Sequence, residues 1–347
     1  MYSVEGEIAV VGDCAMVVYP LTRTSKTSED HHSTLGHSKE LYDLTVSVLV
    51  PAYNEELNIT NLLNSILEQD FDPYELLEIL VDASGSNDKT HDLVAEMSRL
   101  HSVISLVDIG LRDGLVASLD RLIKLAKGDL IVRVDADIYL PPGTFKPLIN
   151  RFEDNEIGIV GPRICVNLTN NQIIYRIAKT EYILHHFVSM NCPKTTNLQI
   201  FRRLNIDIVG SEAEDTMIQH YVTSSGFKAV YDDSVQIWIN SPRTLRELFK
   251  QRARCIRTAK WFKARMDRTS PTQSPKHVLP AILTGLGSGE ISLIDLSMFL
   301  AVEMVTQTYI FLSEALFGHK LTITWEKLSR GDVKEKISEP KVTKQQK

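Results

Sequence analysis

The residues with the strongest chemical signature lie between Asp129 and Pro142, where the sequence reads DLIVRVDADIYLPP. A short, β-branched run, Leu130 to Val134, ends abruptly in Asp135-Ala136-Asp137. Such a run reads as a buried strand of a mostly parallel sheet. Ligands of these sheets bind at the carboxyl ends of the strands. Two carboxylates there are costly unless a cation sits against them. Oxygen-only ligands suit a hard divalent ion, Mg2+ or Mn2+, which also takes phosphate oxygens. The pattern therefore points to a metal that clamps a diphosphate. A lone D-x-D triplet also occurs in surface turns, so its neighbours must decide.

A second acidic cluster, Ser211-Glu212-Ala213-Glu214-Asp215-Thr216, precedes a predicted helix over about 215–224. Acids at a helix N-terminus are stabilised by the dipole and stay ionised. Capping alone would also account for them. Residues 241–270 then carry ten cations against two acids, +8 in a chain of net charge −6. Thr244 with Glu247 makes a capping box, and the basic helix runs to about Met266. Gln251 and Arg254 are neighbours on one face of it. A planar guanidinium there suits a leaving diphosphate, whereas the outer arginines read as a solvated face.

The elements that must position these groups follow from periodicity. Strands are predicted at 45–50, 76–81, 103–107 and 130–134, alternating with helices at 57–69, 90–100 and 115–126. This order gives an α/β class: a doubly wound, mostly parallel sheet with helices on both faces. Further strands are expected at 157–160, 197–203 and 229–231, and a helix at 171–190 in which His185 and His186 read as packing residues. Residues 7–19 read as a hairpin about Gly12-Asp13. Residues 22–40 read as a polar linker whose histidines, His31, His32 and His37, are solvated. Four scattered cysteines without a C-x-x-C pair fit reduced thiols in a cytoplasmic setting. The basic helix lacks interleaved aromatic platforms, so nucleic acid is not an expected partner.

With these elements in place, VSVLVPAYNEE, ASGSNDKT and AKGDLIVRVDAD together resemble the nucleotide-binding half of glycosyltransferase family 2, which has the GT-A fold. The resemblance covers roughly residues 44–265. It implies an inverting, metal-dependent transfer of a hexosyl or N-acetylhexosaminyl group. The donor is a nucleoside-diphosphate sugar, and the acceptor a hydroxyl on a glycan, polysaccharide or lipid-linked sugar. By position, Pro51, Tyr53, Glu55 and Ser84 would line the nucleotide. Asp135 would hold ribose or metal, and Asp137 the metal with the diphosphate. Asp215 would be the general base, oriented by Glu214. Gln251-Arg252-Ala253-Arg254-Cys255 resembles the Q-x-x-R-W motif of polysaccharide-forming members, with Cys255 where Trp is usual. Two other departures stand out. The usual acid pair of the second loop is replaced by Ala83 and Ser84, just after Asp82. The family's Gly-Lys before the third helix is Gly114-Leu115, with Arg112 the nearest cation. The rival reading is a catalytically silent module of the same fold that binds nucleotide sugars or anionic lipid.

Beyond the basic helix, Ile291 to Leu312 is long enough to span a bilayer. Asp295 and Glu303 interrupt it and fall on one stripe with Ser292, Thr306 and Glu314, which reads as an amphipathic helix. This helix is expected either to pack on the catalytic domain or to lie at the cytoplasmic face of a membrane, a contact made with cationic side chains and released by high salt. The expected divisions are 1–43, a catalytic domain at 44–240, basic and apolar helices at 241–320, and a lysine-rich tail at 321–347.

Overall fold

The computed structural model of the chain describes residues 44–169 and 171–317. The expected hairpin, the histidine-bearing linker and the lysine-rich tail lie outside the described residues. The parallel part of the sheet is built from β1 (Thr45–Pro51), β2 (Glu75–Asp82), β3 (Ile104–Val107) and β4 (Leu130–Val134). Their order is β3-β2-β1-β4. All five residues of β4 are buried, because helices cover both faces of the sheet. The connecting helices are α1 (Ile59–Leu67), α2 (Thr90–Leu100) and α3 (Leu115–Leu125). In α1 the buried residues Ile59, Leu62, Leu63 and Ile66 fall on one helical stripe. Strand alternation then divides the core. Val46, Val48, Val50, Val132 and Val134 pack with α1 on one face, while Leu49 and Ile131 pack with Leu119, Leu122 and Ile123 of α3 on the other.

Past β4 the chain forms the short strand β5 (Ile138–Tyr139), α4 (Phe145–Asn150), β6 (Ile157–Asn167), α5 (Gln172–Asn191), β7 (Leu198–Arg202), α6 (Glu214–Ser224) and β8 (Lys228–Asn240). The full order is β3-β2-β1-β4-β7-β6-β8-β5, a mixed eight-stranded sheet. β7 runs antiparallel to β4, with Leu130 opposite Arg202 and Val134 opposite Leu198. The direction of the sheet therefore changes immediately beside β4, at the strand that carries the Asp-Ala-Asp triplet. β6 and β8 are much longer than expected. They pair in parallel and continue past a register shift between Pro162 and Arg163.

Three more helices complete the molecule: α7 (Leu245–Met266), α8 (Pro275–Gly287) and α9 (Leu293–Phe317). Thr244 caps α7 by accepting from the Glu247 N–H at 3.2 Å. The Glu247 carboxylate reaches back one residue further than a capping box requires, accepting from the Arg243 N–H at 2.8 Å. Apolar residues of α5, α7, α8 and α9, among them Ile177, Leu248, Ala281 and Phe299, form one cluster.

The polar stripe of α9 faces this layer and not water. Asp295 accepts from Arg176 of α5 at 2.5 Å, Glu303 from Arg252 of α7 at 2.5 Å, and Glu314 from Lys260 of α7 at 3.1 Å. Thr306 is fully buried. Arg252 also pairs with Glu181 of α5, so one buried guanidinium joins three helices. Burial pushes the Glu181 carboxyl up and Arg252 pulls it back. The opposite face of α9 exposes Leu293, Ile294, Met304, Val305, Phe311 and Leu316. The stripe expected from sequence is present, and it packs on the rest of the protein, where its acids find cations on neighbouring helices.

Arg252→Ala is expected to lower the unfolding free energy by about 3–5 kcal/mol in denaturant titrations, because it strands two buried carboxylates. Replacing Arg252, Glu181 and Glu303 together by apolar residues of similar size should recover most of that loss.

Candidate active site

A cavity of about 580 Å3 opens at the carboxyl ends of β1, β2 and β4 and is roofed by α5, α7, α8 and α9. Its size is ordinary for a small-molecule site. Pro51, Tyr53, Glu55 and Ser84 line it from the first two strand ends. Asp135 and Asp137 line it from the end of β4, Glu214 and Asp215 from the start of α6, and Gln251 and Arg254 from α7. Residues separated by up to two hundred positions thus meet in one place, and none of those singled out from sequence falls elsewhere.

At the centre is a residue that sequence reasoning passed over. Arg133 lies within the buried strand β4 and is 2 % exposed. Its Nη2 is 2.7 Å from Asp135 and 3.5 Å from Glu214. Burial opposes its charge, but Asp135, Glu214, Asp215 and Asp137 outweigh that and hold the guanidinium protonated. Its Nε and Nη1 find no hydrogen-bond partner among the described residues. The protein itself thus supplies the cation that the carboxylate pair needs. The signal was a single arginine inside an otherwise apolar strand run.

The two acids of α6 differ sharply. Asp215 is 3.0 Å from the ammonium of Lys194, a buried residue between α5 and β7, which also donates to Thr216 Oγ1 at 2.9 Å. Burial would raise the Asp215 carboxyl, but Lys194 and Arg133 prevail and hold it well below the usual carboxylate range. Glu214 moves the other way. Burial and the neighbouring Asp215 push it up, against the pull of Arg133 and Arg254. Lys194 belongs to no motif and was not foreseen.

At the donor end, the Arg112 guanidinium lies 3.9 Å over the Tyr53 ring, a cation–π stack that fixes the ring plane. Gly85, at φ +68°, lets this loop approach: a Cβ there would meet the Arg112 backbone nitrogen at 2.5 Å. Asp82 is tied to Arg121, and its other oxygen accepts from the Ser84 N–H at 3.0 Å. Ser84 Oγ accepts from the Ile109 N–H at 3.1 Å. These residues brace the loop as well as line the cavity. The Glu55 carboxylate accepts from Asn58 Nδ2 at 2.8 Å. Of the paired histidines, His186 meets the Tyr231 hydroxyl at 3.0 Å in the core. His185 lines the cavity, and burial lowers its pKa to about 3, so its imidazole is neutral.

The donor types suit a magnesium-like ion. Asp135 and Asp137 line the cavity, Asp135 with one oxygen 2.7 Å from Arg133 and the other accepting from Asn197 Nδ2 at 3.2 Å, and the described residues hold no cluster of three or more His, Cys, Asp or Glu side chains suited to a metal. One or two carboxylates completed by phosphate oxygens is the usual arrangement for Mg2+.

A mixed sheet with clustered carboxylates where its direction changes defines a GT-A fold. The solved mannosyltransferase PcManGT from Pyrobaculum calidifontis, in complex with GDP-mannose and Mn2+, shares it with a TM-score of 0.53 and 21 % identity, over 79 % of this chain and 85 % of that one. Residues 47–210 match the family model described as glycosyl transferase family 2, and the chain carries a domain of that family. It is 33 % identical over 111 residues to an uncharacterised glycosyltransferase of Haemophilus influenzae, covering 32 % of this chain and 33 % of that protein. It is 25 % identical over 229 residues to the poly-β-1,6-N-acetyl-D-glucosamine synthase of Staphylococcus aureus, covering 60 % of this chain and 53 % of that protein. The chain thus spans a third to about half the length of these curated relatives.

Arg133→Met removes the buried charge at nearly constant volume. Without it Glu214, already above its ordinary 4.5, rises further. A folded-state pKa above the unfolded one gives stability that is present in acid and lost as pH rises through the folded value. The melting-temperature gap between wild type and variant is therefore expected to widen from about pH 4.5 towards neutrality.

Proposed function

We propose that the protein is an inverting glycosyltransferase that moves a hexosyl or N-acetylhexosaminyl group from a nucleoside-diphosphate sugar to an acceptor hydroxyl. The observation that carries this reading is the meeting of Asp135, Asp137, Glu214 and Asp215 with Gln251 and Arg254 around one cavity. Tyr53, with Pro51, Glu55 and Ser84, accommodates the base and ribose. Asp135 and Asp137 would hold Mg2+ or Mn2+, which when bound neutralises charge on the leaving diphosphate. Arg254, with Gln251 beside it on α7, offers that diphosphate a guanidinium from the other side.

The acceptor proton goes to the Glu214–Asp215 pair. Family resemblance assigns it to Asp215. The Lys194 contact favours Glu214: an ammonium at 3.0 Å makes Asp215 a weak base, whereas Glu214 meets Arg133 only at 3.5 Å and burial with the neighbouring Asp215 raises its proton affinity. Asp215 and Lys194 then orient the pair. In either assignment, attack opposite the diphosphate inverts the anomeric carbon.

The exposed face of α9 supports membrane contact through apolar burial. From Leu293 to Leu316 the helix is long and apolar enough to cross a membrane by length and composition, with mean hydropathy 1.3. Its acids are matched by cations of the protein, so release by detergent and not by salt alone would favour this apolar contact over the salt-sensitive one expected from the basic helix.

Incubation with a donor panel that includes GDP-mannose and UDP-N-acetylglucosamine should release nucleoside diphosphate in the presence of Mn2+, and EDTA should stop it. Asp137→Asn should lose most activity. Donor binding without turnover across the panel would support a silent binding module. Glu214→Gln should reduce kcat at least about a hundredfold, the usual scale for a general base. The wild-type kcat/KM should fall in acid with an apparent pKa above 4.5. An acid limb below 3.8, the ordinary aspartate value, together with damage confined to Asp215→Asn, would return the role to Asp215.

A further inference from the structure

The cavity has a second kind of wall. Beyond Asp135, Asp137, Glu214 and Asp215 it is lined by Val188, Val278, Leu279, Phe299 and Leu300, from α5, α8 and α9, together with the Glu181–Arg252–Glu303 join. A nucleotide, a diphosphate and a sugar have little use for such a surface. Two of these residues have a second exposure. Leu279 and Leu300 are 60 % and 47 % exposed, and they belong to the apolar face that α8 and α9 turn outward. Cavity wall and outer face are therefore continuous. On the outer face Leu283, Met304, Val305 and Phe311 extend the surface, while the acids of α9 are drawn inward onto Arg176, Arg252 and Lys260.

We propose that the acceptor is a lipid with a neutral, hydroxyl-bearing head group, which enters the cavity from the bilayer along α8 and α9 and keeps its hydrocarbon chain on Leu279 and Leu300. This inference rests on the glycosyltransferase reading of the same site. Hydrocarbon is the occupant that the face fits, since its charges are already satisfied within the protein. The head group follows from the other end of the cavity. A phosphate head would attack through an oxygen that is already ionised and would need no base. A hydroxyl needs one. Its oxygen bonds to the anomeric carbon as the bond from that carbon to the diphosphate oxygen breaks. The hydroxyl proton passes to the Glu214–Asp215 pair, and the bond's electrons leave with the nucleoside diphosphate.

The test uses the full chain, Mn2+ and the donor that gives the most turnover in the panel above. Acceptors are methyl, octyl and dodecyl glycosides, an aqueous oligosaccharide, diacylglycerol in vesicles and a prenyl phosphate. Transfer to water, measured as donor hydrolysis, reports the donor site separately. The expected result is a KM for the dodecyl glycoside at least about a hundredfold below that for the methyl glycoside, with diacylglycerol or a glycolipid accepted and the prenyl phosphate refused. Leu279→Gln and Leu300→Gln, both at exposed positions, should flatten this chain-length dependence. Equal KM values for methyl and dodecyl glycosides, with donor hydrolysis intact, would overturn the lipid acceptor and leave the glycosyltransferase reading standing. Preferred transfer to the prenyl phosphate would overturn the neutral head group. Loss of hydrolysis and transfer with every donor would sink both readings. A lipid-free homodimer, seen by native mass spectrometry and split by the leucine variants, would assign the face to a second copy and overturn the entry route.

Discussion

A guanidinium buried within the central strand fixes most of what surrounds it. An unpaired charge in the interior is not tolerated, and Arg133 is 2 % exposed. It therefore demands carboxylates from several directions. Asp135 comes from its own strand end and Glu214 from the start of α6, more than seventy residues later. Those acids would in turn repel one another without it. The mixed topology makes the meeting possible. β7 returns antiparallel to β4, and the chain that leaves it comes round to begin α6 beside the same strand end. Charge pairing and sheet order support each other here, and the cavity forms where they meet.

Lys194 plays a similar part for Asp215, at smaller scale. Two adjacent acids receive different cations and are driven to opposite proton affinities. A base that must accept a proton near neutrality, beside a neighbour that must stay ionised, is difficult to build from identical environments. The difference arises from backbone placement alone: Lys194 lies in the segment between α5 and β7, and Arg133 points up from within the sheet.

Much of the architecture could be read from periodicity. α2 and β4 were predicted to the residue, since their apolar spacing is clean and polar residues bound them. The eight-stranded mixed order could not be read, because β5 has only two residues and β8 continues through Asp232, Asp233 and Ser234, which look like a turn. The site residues were legible where motifs carried them. Arg133 and Lys194 were not, since a cation whose partner is far away in sequence leaves no local pattern. The same holds for α9. Its polar stripe and its packing on the domain could be expected, but not its partners Arg176 and Arg252, neither of which is near it in the chain.

The buried join at Arg252 carries one more implication. Gln251 and Arg254 share a helical turn with it, and they reach the cavity while Arg252 is gripped by α5 and α9. The position of the donor-side guanidinium is thus set partly by a helix whose outer surface is hydrocarbon-like. Whatever surrounds α9, water, lipid or detergent, thereby touches the geometry of the cavity. Preparations that differ only in that solvent shell would differ at the site.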